Sequence, residues 1–392
     1  MKKGWKIALL CGVAAVPVGL IIGLSIPNNS IKNISTVGST DLKPFIEPLA
    51  EEYSKQHNEY DITVEAGGSD FGIQETAYGY ANIGNATKNP FSKVKSSFKQ
   101  EWIDRRMKTV TLGWEGICIV YIPPEGISND AKSKLNSILD MNNTNIGNIY
   151  RTFSGYQDGL GQSKPTMGLF LNNTSLSQND QKLFRNQEVI PFARSGGYVT
   201  SGTTASFYND SHLDFNPNSW DEKQQNAFKF GNYGNDWKVY DTDEANTRAW
   251  DSFNRYALPG SMVYLSSGFV KQNEKLIKDY GYGVFSYEGT EFKVDDINKT
   301  SGYNFYHPLN MTLSIGDEKS IDFINFLIND SWSSKWNEMG ARQVNNDEKN
   351  TMSNGGTMWI TDEEISELRY GSDFWENPTS GPVIFGAKDF HA

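Results

Sequence analysis

Between residues 31 and 88 short apolar runs alternate with polar loops that open amphipathic stretches, and this alternation restricts the fold more than any other feature. Ile34, Thr36 and Val37 predict a strand, which Gly38-Ser39-Thr40-Asp41 leads into a helix. Leu42, Phe45, Ile46, Leu49, Ala50 and Tyr53 recur with the helical period and predict one buried face, and Pro44 falls in the first turn, where it is tolerated. Tyr60, Ile62 and Val64 alternate as a second strand, and Ala66 to Gly72 ends it and starts a second helix. Ala81 to Lys88 is a third short strand running into a polar turn. Strands alternating with helices predict an α/β fold with a mainly parallel sheet. In such sheets ligands sit beyond the carboxyl ends of the strands, so Ser39, Ser69 and Thr87, one at each strand end, are expected to converge. Taken singly, each is also an ordinary helix cap or turn residue.

A second stretch, Pro191 to Phe207, carries the components of an anion cradle. Arg194 leaves an apolar run, a loop with Gly196 and Gly197 follows, and Ser201-Gly202-Thr203 opens a predicted helix. Unpaired amides at a helix N-terminus point outward, hydroxyls add donors, and a guanidinium presents a planar fork to two oxyanion oxygens.

Composition narrows the partners. A formal charge of −11 over 392 residues, with Lys2, Lys3 and Lys6 at the extreme N-terminus, leaves an acidic body and argues against nucleic acid. Any anion site must therefore work through local donors. The two cysteines, Cys11 and Cys118, exclude a disulfide framework, and Cys118 reads as a small buried hydrophobe. His57, His212, His307 and His391 show no metal-ligand spacing, so no metal or other cofactor is expected. Ile7 to Ile26 carries no charge, follows the three lysines, and is long enough to span a bilayer. An uncleaved anchor, a cleavable signal peptide and lipidation at Cys11 stand as alternatives, and all three place the body outside the cytoplasmic membrane.

Farther along, Thr109 to Ile122 reads as a buried strand pair ending at Pro123-Pro124, a crossing point between lobes. Ile146 to Tyr156 is a helix, and Val189 to Ala193 is the strand that delivers Arg194. Asn209 to Asp243, polar, aromatic and without clear period, is expected to be an insertion on the outer face of the second lobe. A helix stripe at Ala249, Phe253, Tyr256 and Ala257 precedes a strand at Met262 to Leu265, and Phe305 to Leu313 returns to the first lobe. A final amphipathic helix carries Ile321, Phe323, Ile324, Phe326, Leu327 and Trp332.

In this order the chain resembles the phosphate-binding proteins of ABC-type phosphate importers, the PstS family, over about residues 35–345. The resemblance is carried by Gly38-Ser39-Thr40, Gly67-Gly68-Ser69, Ile83 to Thr87, Ile149-Tyr150 through Ser154-Gly155, Arg194 with Ser201-Gly202-Thr203, Leu258 to Tyr264, and Tyr306 to Leu309. It implies a two-lobe, type II periplasmic-binding-protein-like α/β fold with a hinge. The lobes would be residues 31–122 with 303–345, and residues 123–302, preceded by a signal or anchor at 1–30 and followed by an unassigned extension at 346–392. It further implies a monomeric, non-enzymatic protein on the extracellular face of the membrane that closes on inorganic phosphate and docks on the membrane subunits of an ABC permease. Thr40, the amide of Asp41, Ser69 and Thr87 would bind from one lobe, and Arg194, Ser201, Gly202 and Thr203 from the other.

Two departures from the family pattern stand out. Thr87 occupies the place where the family often has an aspartate that accepts the proton of hydrogen phosphate and so rejects sulfate; Asp41 or Asp70 is the alternative acceptor. Six residues, Ser195 to Thr200, separate Arg194 from Ser-Gly-Thr, where the family has two or three. That loop either bulges outward or carries the arginine off the anion. A general oxyanion binder, a surface or adhesion protein that kept the fold, and a secreted phosphatase are the competing functions. The phosphatase is disfavoured because no nucleophile–base pair or ligand-spaced carboxylate cluster is visible.

Overall fold

A computed structural model describes residues 31–353, apart from 89, 91–93, 106, 158–163, 173–174, 216–219, 244 and 315. The expected span at Ile7 to Ile26, Cys11 and most of the C-terminal extension lie outside the described residues. Among the described residues no helix is long and apolar enough to cross a membrane.

The strands are β1 Lys32–Gly38, β2 Tyr60–Ala66, β3 Ile83–Ala86, β4 Met107–Tyr121, β5 Asp140–Met141 and β6 Ile190–Arg194, followed by β7 Tyr240–Thr242, β8 Ser261–Ser266, β9 Gly283–Val284, β10 Ser286–Tyr287, β11 Tyr306–Ser314 and β12 Ala341–Gln343. The main sheet runs β2-β1-β3-β11-β4-β8-β6-β7, with β12 and β9 also paired to β4. Both ends of this order are parallel: β1 pairs with β2 and β3, and β6 with β7 and β8. The middle is antiparallel, because β4 and β11 run side by side and join the two parallel groups. The sheet is thus two parallel halves tied by a crossing pair, more mixed than strand–helix alternation alone predicts.

Strand β4 is a single strand of 15 residues, not a strand pair. Gly113 and Gly116 suggest a turn in sequence, but they serve close packing: a Cβ on Gly113 would lie 2.6 Å from the carbonyl oxygen of Arg342 in β12. Two apolar cores divide along this strand. One takes Val110, Leu112 and Trp114 with the first helix and Leu309 to Leu313. The other takes Ile117 to Tyr121 with β6, β8 and the helices between.

The first helix, Lys43–Gln56, buries Phe45, Ile46, Leu49, Ala50 and Tyr53, the face its period predicts. The stretch Asn209 to Asp243 departs from expectation. The helix Glu222–Phe230 within it buries Ala227 and Phe228, Trp237 is buried, and β7 becomes the edge strand beside β6. Phe228 belongs to the core of the second half, near-parallel to Tyr208 at 4.6 Å between ring centroids, and Phe215, Trp220, Tyr233 and Tyr240 pack against that core while Phe230 stays exposed. The final amphipathic stretch is broken into Glu318–Leu327 and Ser333–Met339, joined by a turn of 3-10 helix.

Candidate functional site

The carboxyl ends of β1, β3, β6 and β8 meet where the two halves face each other, and the polar residues gathered there are buried. At the end of β1 the chain turns through Ser39, whose Oγ accepts from the Asp41 amide at 3.2 Å. That turn leaves Thr40 exposed and carries Asp41 inside, 6 % exposed. The Asp41 amide, expected to donate to a ligand, is therefore occupied by Ser39, and the side chain facing the site is a carboxylate.

Asp41 contacts the other half directly. Its Oδ1 accepts from Thr203 Oγ1 at 3.5 Å and from Asn246 Nδ2 at 3.4 Å, both long contacts. Its Oδ2 is buried and has no hydrogen-bond partner. Burial raises the Asp41 pKa to about 6, aided by the charge of Glu115, while His307, Arg194 and the Thr203 hydroxyl act the other way. Beside it, Ser69 Oγ and Thr87 Oγ1 lie 3.3 Å apart, and the Thr87 amide donates to Ser69 Oγ at 3.1 Å. Asp70, the other candidate acceptor, is exposed and forms a surface ion pair with Lys88, so it does not enter the site.

On the facing half, Arg194 ends β6 and is fully buried. Its Nη2 donates to Asn246 Oδ1 at 2.6 Å and to the Tyr264 carbonyl at 3.0 Å, and its guanidinium lies 5.6 Å from the centroid of the Tyr264 ring. Burial lowers its pKa, with Tyr264 and Asp41 opposing. The six-residue spacer bulges away from the site. Ser195 donates its amide to Thr242, Gly196 turns with φ 69°, and Gly197–Thr200 forms one helical turn packed on the end of the helix Glu222–Phe230. Gly197 is required there: its φ is +60°, and a Cβ would meet the Phe228 carbonyl oxygen at 2.2 Å. The bulge returns the chain to Ser201, whose Oγ caps the helix Gly202–Asn209 by accepting from the Thr204 amide. The first-turn amides of Gly202 and Thr203 lack intrahelical acceptors. A Cβ on Gly202 would lie 3.3 Å from both Asp41 Oδ2 and Thr87 Oγ1, which places the helix N-terminus against the opposite half.

The structure thus brings together Asp41, Ser69, Thr87, Arg194, Ser201, Gly202 and Thr203, and leaves Thr40 at the surface. Sequence reading missed Asn246, which links Arg194, Asp41 and Ser266, and Tyr264, whose hydroxyl accepts from the Arg194 amide at 3.1 Å. It also missed the pair behind Asp41. Glu115 and His307 stand opposite each other in the β4–β11 register, and His307 Nε2 lies 3.1 Å from Glu115 Oε2. Ligand-type atoms of Asp41, Glu115 and His307 all fall within 4.8 Å of one another, a grouping of metal-ligating residue types that chain spacing concealed. The Glu115–His307 contact is a hydrogen bond, and Glu115 Oε1 accepts from the Gly268 amide at 3.0 Å, so both carboxylate oxygens are already engaged.

Two α/β halves tied by crossing strands, with charged and hydroxyl side chains buried where they meet, define a two-lobed α/β fold of the periplasmic-binding-protein type. The chain belongs to the PBP superfamily, whose domain model matches residues 25–330. It is 30 % identical over 375 residues to an uncharacterized lipoprotein of Mycoplasma genitalium, covering 88 % of this chain and 93 % of that one. Among solved structures it shares its fold with a putative phosphate ABC transporter substrate-binding protein from Clostridium perfringens, solved with bound phosphate: TM-score 0.53, 16 % identity, 80 % of this chain and all of that one. An ABC-type phosphate transport receptor from Vibrio cholerae gives TM-score 0.50 at 18 % identity over 80 % of this chain and 100 % of that one. An ancestral soluble variant of the human phosphate-binding protein gives 0.55 at 11 % identity over 87 % and 99 %.

Proposed function

We propose that this protein captures inorganic phosphate between its lobes, taken as residues 31–122 with 303–345 and residues 123–302, and delivers it to an ABC-type permease. The observation that carries the reading is the buried Arg194 beside the N-terminus of the helix Gly202–Asn209, facing Asp41, Ser69 and Thr87 across the cleft. Arg194, the Gly202 and Thr203 amides and the hydroxyls of Ser69, Thr87, Ser201 and Thr203 supply donors in a water-poor site, where charge-assisted bonds are strong. Asp41 Oδ2 is the acceptor for a hydrogen on the ligand. The solved neighbours described as phosphate receptors support the reading. The reading assigns no catalytic role to any residue.

The description of the relative as a lipoprotein supports a membrane-tethered protein whose body lies outside the cytoplasm, and adds weight to attachment through Cys11. Metabolic labelling with a radioactive fatty acid, compared with Cys11→Ala, separates lipidation from an anchor made by Ile7 to Ile26. For the ligand, the test is equilibrium binding of labelled phosphate to the full chain in detergent, with sulfate as competitor. Saturable phosphate binding abolished by Arg194→Ala is expected. Absence of phosphate binding at millimolar concentration refutes the reading, and equal competition by sulfate replaces it with a general oxyanion binder.

A further inference from the structure

We propose that the buried His307–Glu115 pair is a positioning device behind Asp41 that fixes the pH range over which the cleft distinguishes an oxyanion carrying a hydrogen, such as hydrogen phosphate, from sulfate, which carries none. The inference rests on the phosphate reading above and assigns the pH range of that selectivity to two residues behind Asp41.

Glu115 and His307 lie on the two strands that cross between the cores, paired directly in register and 1 % and 0 % exposed. The Gly268 amide at the start of the helix Ser267–Gln272 holds Glu115 Oε1, and His307 Nε2 holds Oε2. The other imidazole nitrogen, His307 Nδ1, is buried without a partner, as is Asp41 Oδ2. The charged groups around this centre are few. Asp41 comes from the turn after β1, Glu115 from β4, Asp210 from the end of the helix Gly202–Asn209, and Arg194 from β6. Three carboxylates therefore face one imidazole in a dry environment, and mutual repulsion is relieved when that imidazole carries a proton. Burial alone lowers the His307 pKa, but its hydrogen bond to Glu115 and the charges of Glu115, Asp41 and Asp210 outweigh burial and raise it overall.

The consequence for Asp41 follows from charge. With His307 protonated, the Glu115–His307 pair is neutral as a unit, and Asp41 stays ionised at neutral pH as an acceptor. An ionised Asp41 accepts a ligand hydrogen and repels an oxyanion that has none, which is discrimination by an unfavourable contact. Once Asp41 takes up a proton its carboxyl becomes a donor, and sulfate is admitted. Removing the charge of His307 alone leaves Glu115 unneutralised beside Asp41, so Asp41 takes up its proton at higher pH. Removing both members restores a neutral pair.

The experiment is competition between labelled phosphate and sulfate on the full chain in detergent, from pH 5 to pH 8, for the wild type, His307→Gln, His307→Gln with Glu115→Gln, and Asp41→Asn. In the wild type sulfate is expected to compete at pH 5 and to fail at pH 7.5. His307→Gln is expected to move that crossing upward by about one pH unit or more, giving roughly a tenfold gain for sulfate near pH 7. The double variant returns toward wild type, which a merely structural role would not produce. Asp41→Asn loses discrimination at every pH. Superposable profiles for the wild type and His307→Gln overturn the proposal, as does a double variant that behaves like the single one. Phosphate affinity that rises with added Zn²⁺ and falls with chelator also overturns it, because the three residues then hold a cation. Nitrogen-15 histidine NMR on the wild-type chain gives a reading independent of variant folding: a protonated His307 at pH 7 supports the proposal and a neutral one overturns it. Absence of wild-type binding to either anion defeats the phosphate reading instead, a result distinct from all of these.

Discussion

Replacing Asp41 by Asn is expected to make the ligand-free protein more stable at neutral pH while it weakens binding. In the folded protein burial raises the Asp41 pKa from 3.8 to about 6. A carboxyl raised on folding holds its proton more tightly in the native state. Its stabilising contribution is complete below about pH 4 and is lost as pH rises through about 6. The difference corresponds to about 3 kcal/mol at about 1.4 kcal/mol per pH unit. This is an upper value for Asp41→Asn at pH 7.5, because Arg194 loses a charged neighbour in the variant. Asp210, raised to about 6 by burial, and His307, also raised overall, lose stability in the same direction, so part of the pH slope persists without Asp41. Asp180 and Asp330 have lowered pKa values, held down by hydrogen bonds from Ser177 and Lys349, and their contributions disappear only as pH falls below the ordinary carboxylate range, outside this window. The assay is urea unfolding of the full chain in detergent and phosphate-free buffer between pH 4.5 and 8. The variant is expected to lie closest to the wild type near pH 4.5, to gain on it up to about pH 6, and to keep a nearly constant advantage from there to pH 8. Parallel curves for the two proteins, or a variant less stable at pH 7.5, refute the reasoning that Asp41 is a strained ionised group.

The remaining expectations concern the facing half of the cleft. Arg194→Ala removes at least two charge-assisted contacts to an oxyanion, each worth about 1.5–3 kcal/mol, so phosphate affinity should fall more than about 100-fold by calorimetry. Arg194→Lys keeps the charge but loses the planar guanidinium, whose Nη2 alone serves Asn246 and the Tyr264 carbonyl and so leaves further donors for an oxyanion, and should recover only part of the loss. Gly202→Ala places a methyl 3.3 Å from Asp41 Oδ2 and Thr87 Oγ1, and should weaken phosphate binding about tenfold, or about 1.4 kcal/mol, with little change in unfolding. Gly197→Ala combines a φ of +60° with a 2.2 Å approach to the Phe228 carbonyl, and should cost more than about 2 kcal/mol of stability in thermal or urea unfolding.

Periodicity made the first half of the fold legible. The helix Lys43–Gln56 has one buried face and β2 alternates along its length, and local residue order records such patterns, while the short β3 is buried throughout. It failed in two places for physical reasons. Gly113 in β4 has the look of a turn residue, but it makes room for a neighbouring backbone, information carried by β12 more than 200 residues away. In Asn209 to Asp243 the buried residues, Phe228 and Trp237 among them, and the aromatics packed against the core meet several elements at once, so no single period marks them. Within the site, residue types at strand ends and helix starts pointed to Ser69, Thr87, Arg194 and Ser201 to Thr203. They did not point to Asn246, Tyr264, Glu115 or His307, which acquire their meaning from cross-strand register and from contacts with other elements.

The same distinction explains why Thr87 need not signal a loss of selectivity. In the family that the sequence resembles, the carboxylate acceptor often follows the third strand; here a hydroxyl stands there and a carboxylate follows the first strand. In space the two positions are neighbours: Asp41 Oδ2 and Thr87 Oγ1 are each 3.3 Å from the point where a Gly202 Cβ would be. Under the phosphate reading the cleft still presents one carboxylate and one hydroxyl to the same corner of the ligand, with Arg194 on the far side. Exchanging the two along the chain has a further consequence. A carboxylate after the first strand lies against the β4–β11 crossing, where Glu115 and His307 adjust its charge, and a hydroxyl there would have no use for them. A chain with a net charge of −11 gains no help from its overall field in holding an anion, so under the phosphate reading Arg194 and the amides and hydroxyls around it carry the affinity, while the buried carboxylates set which anion is accepted.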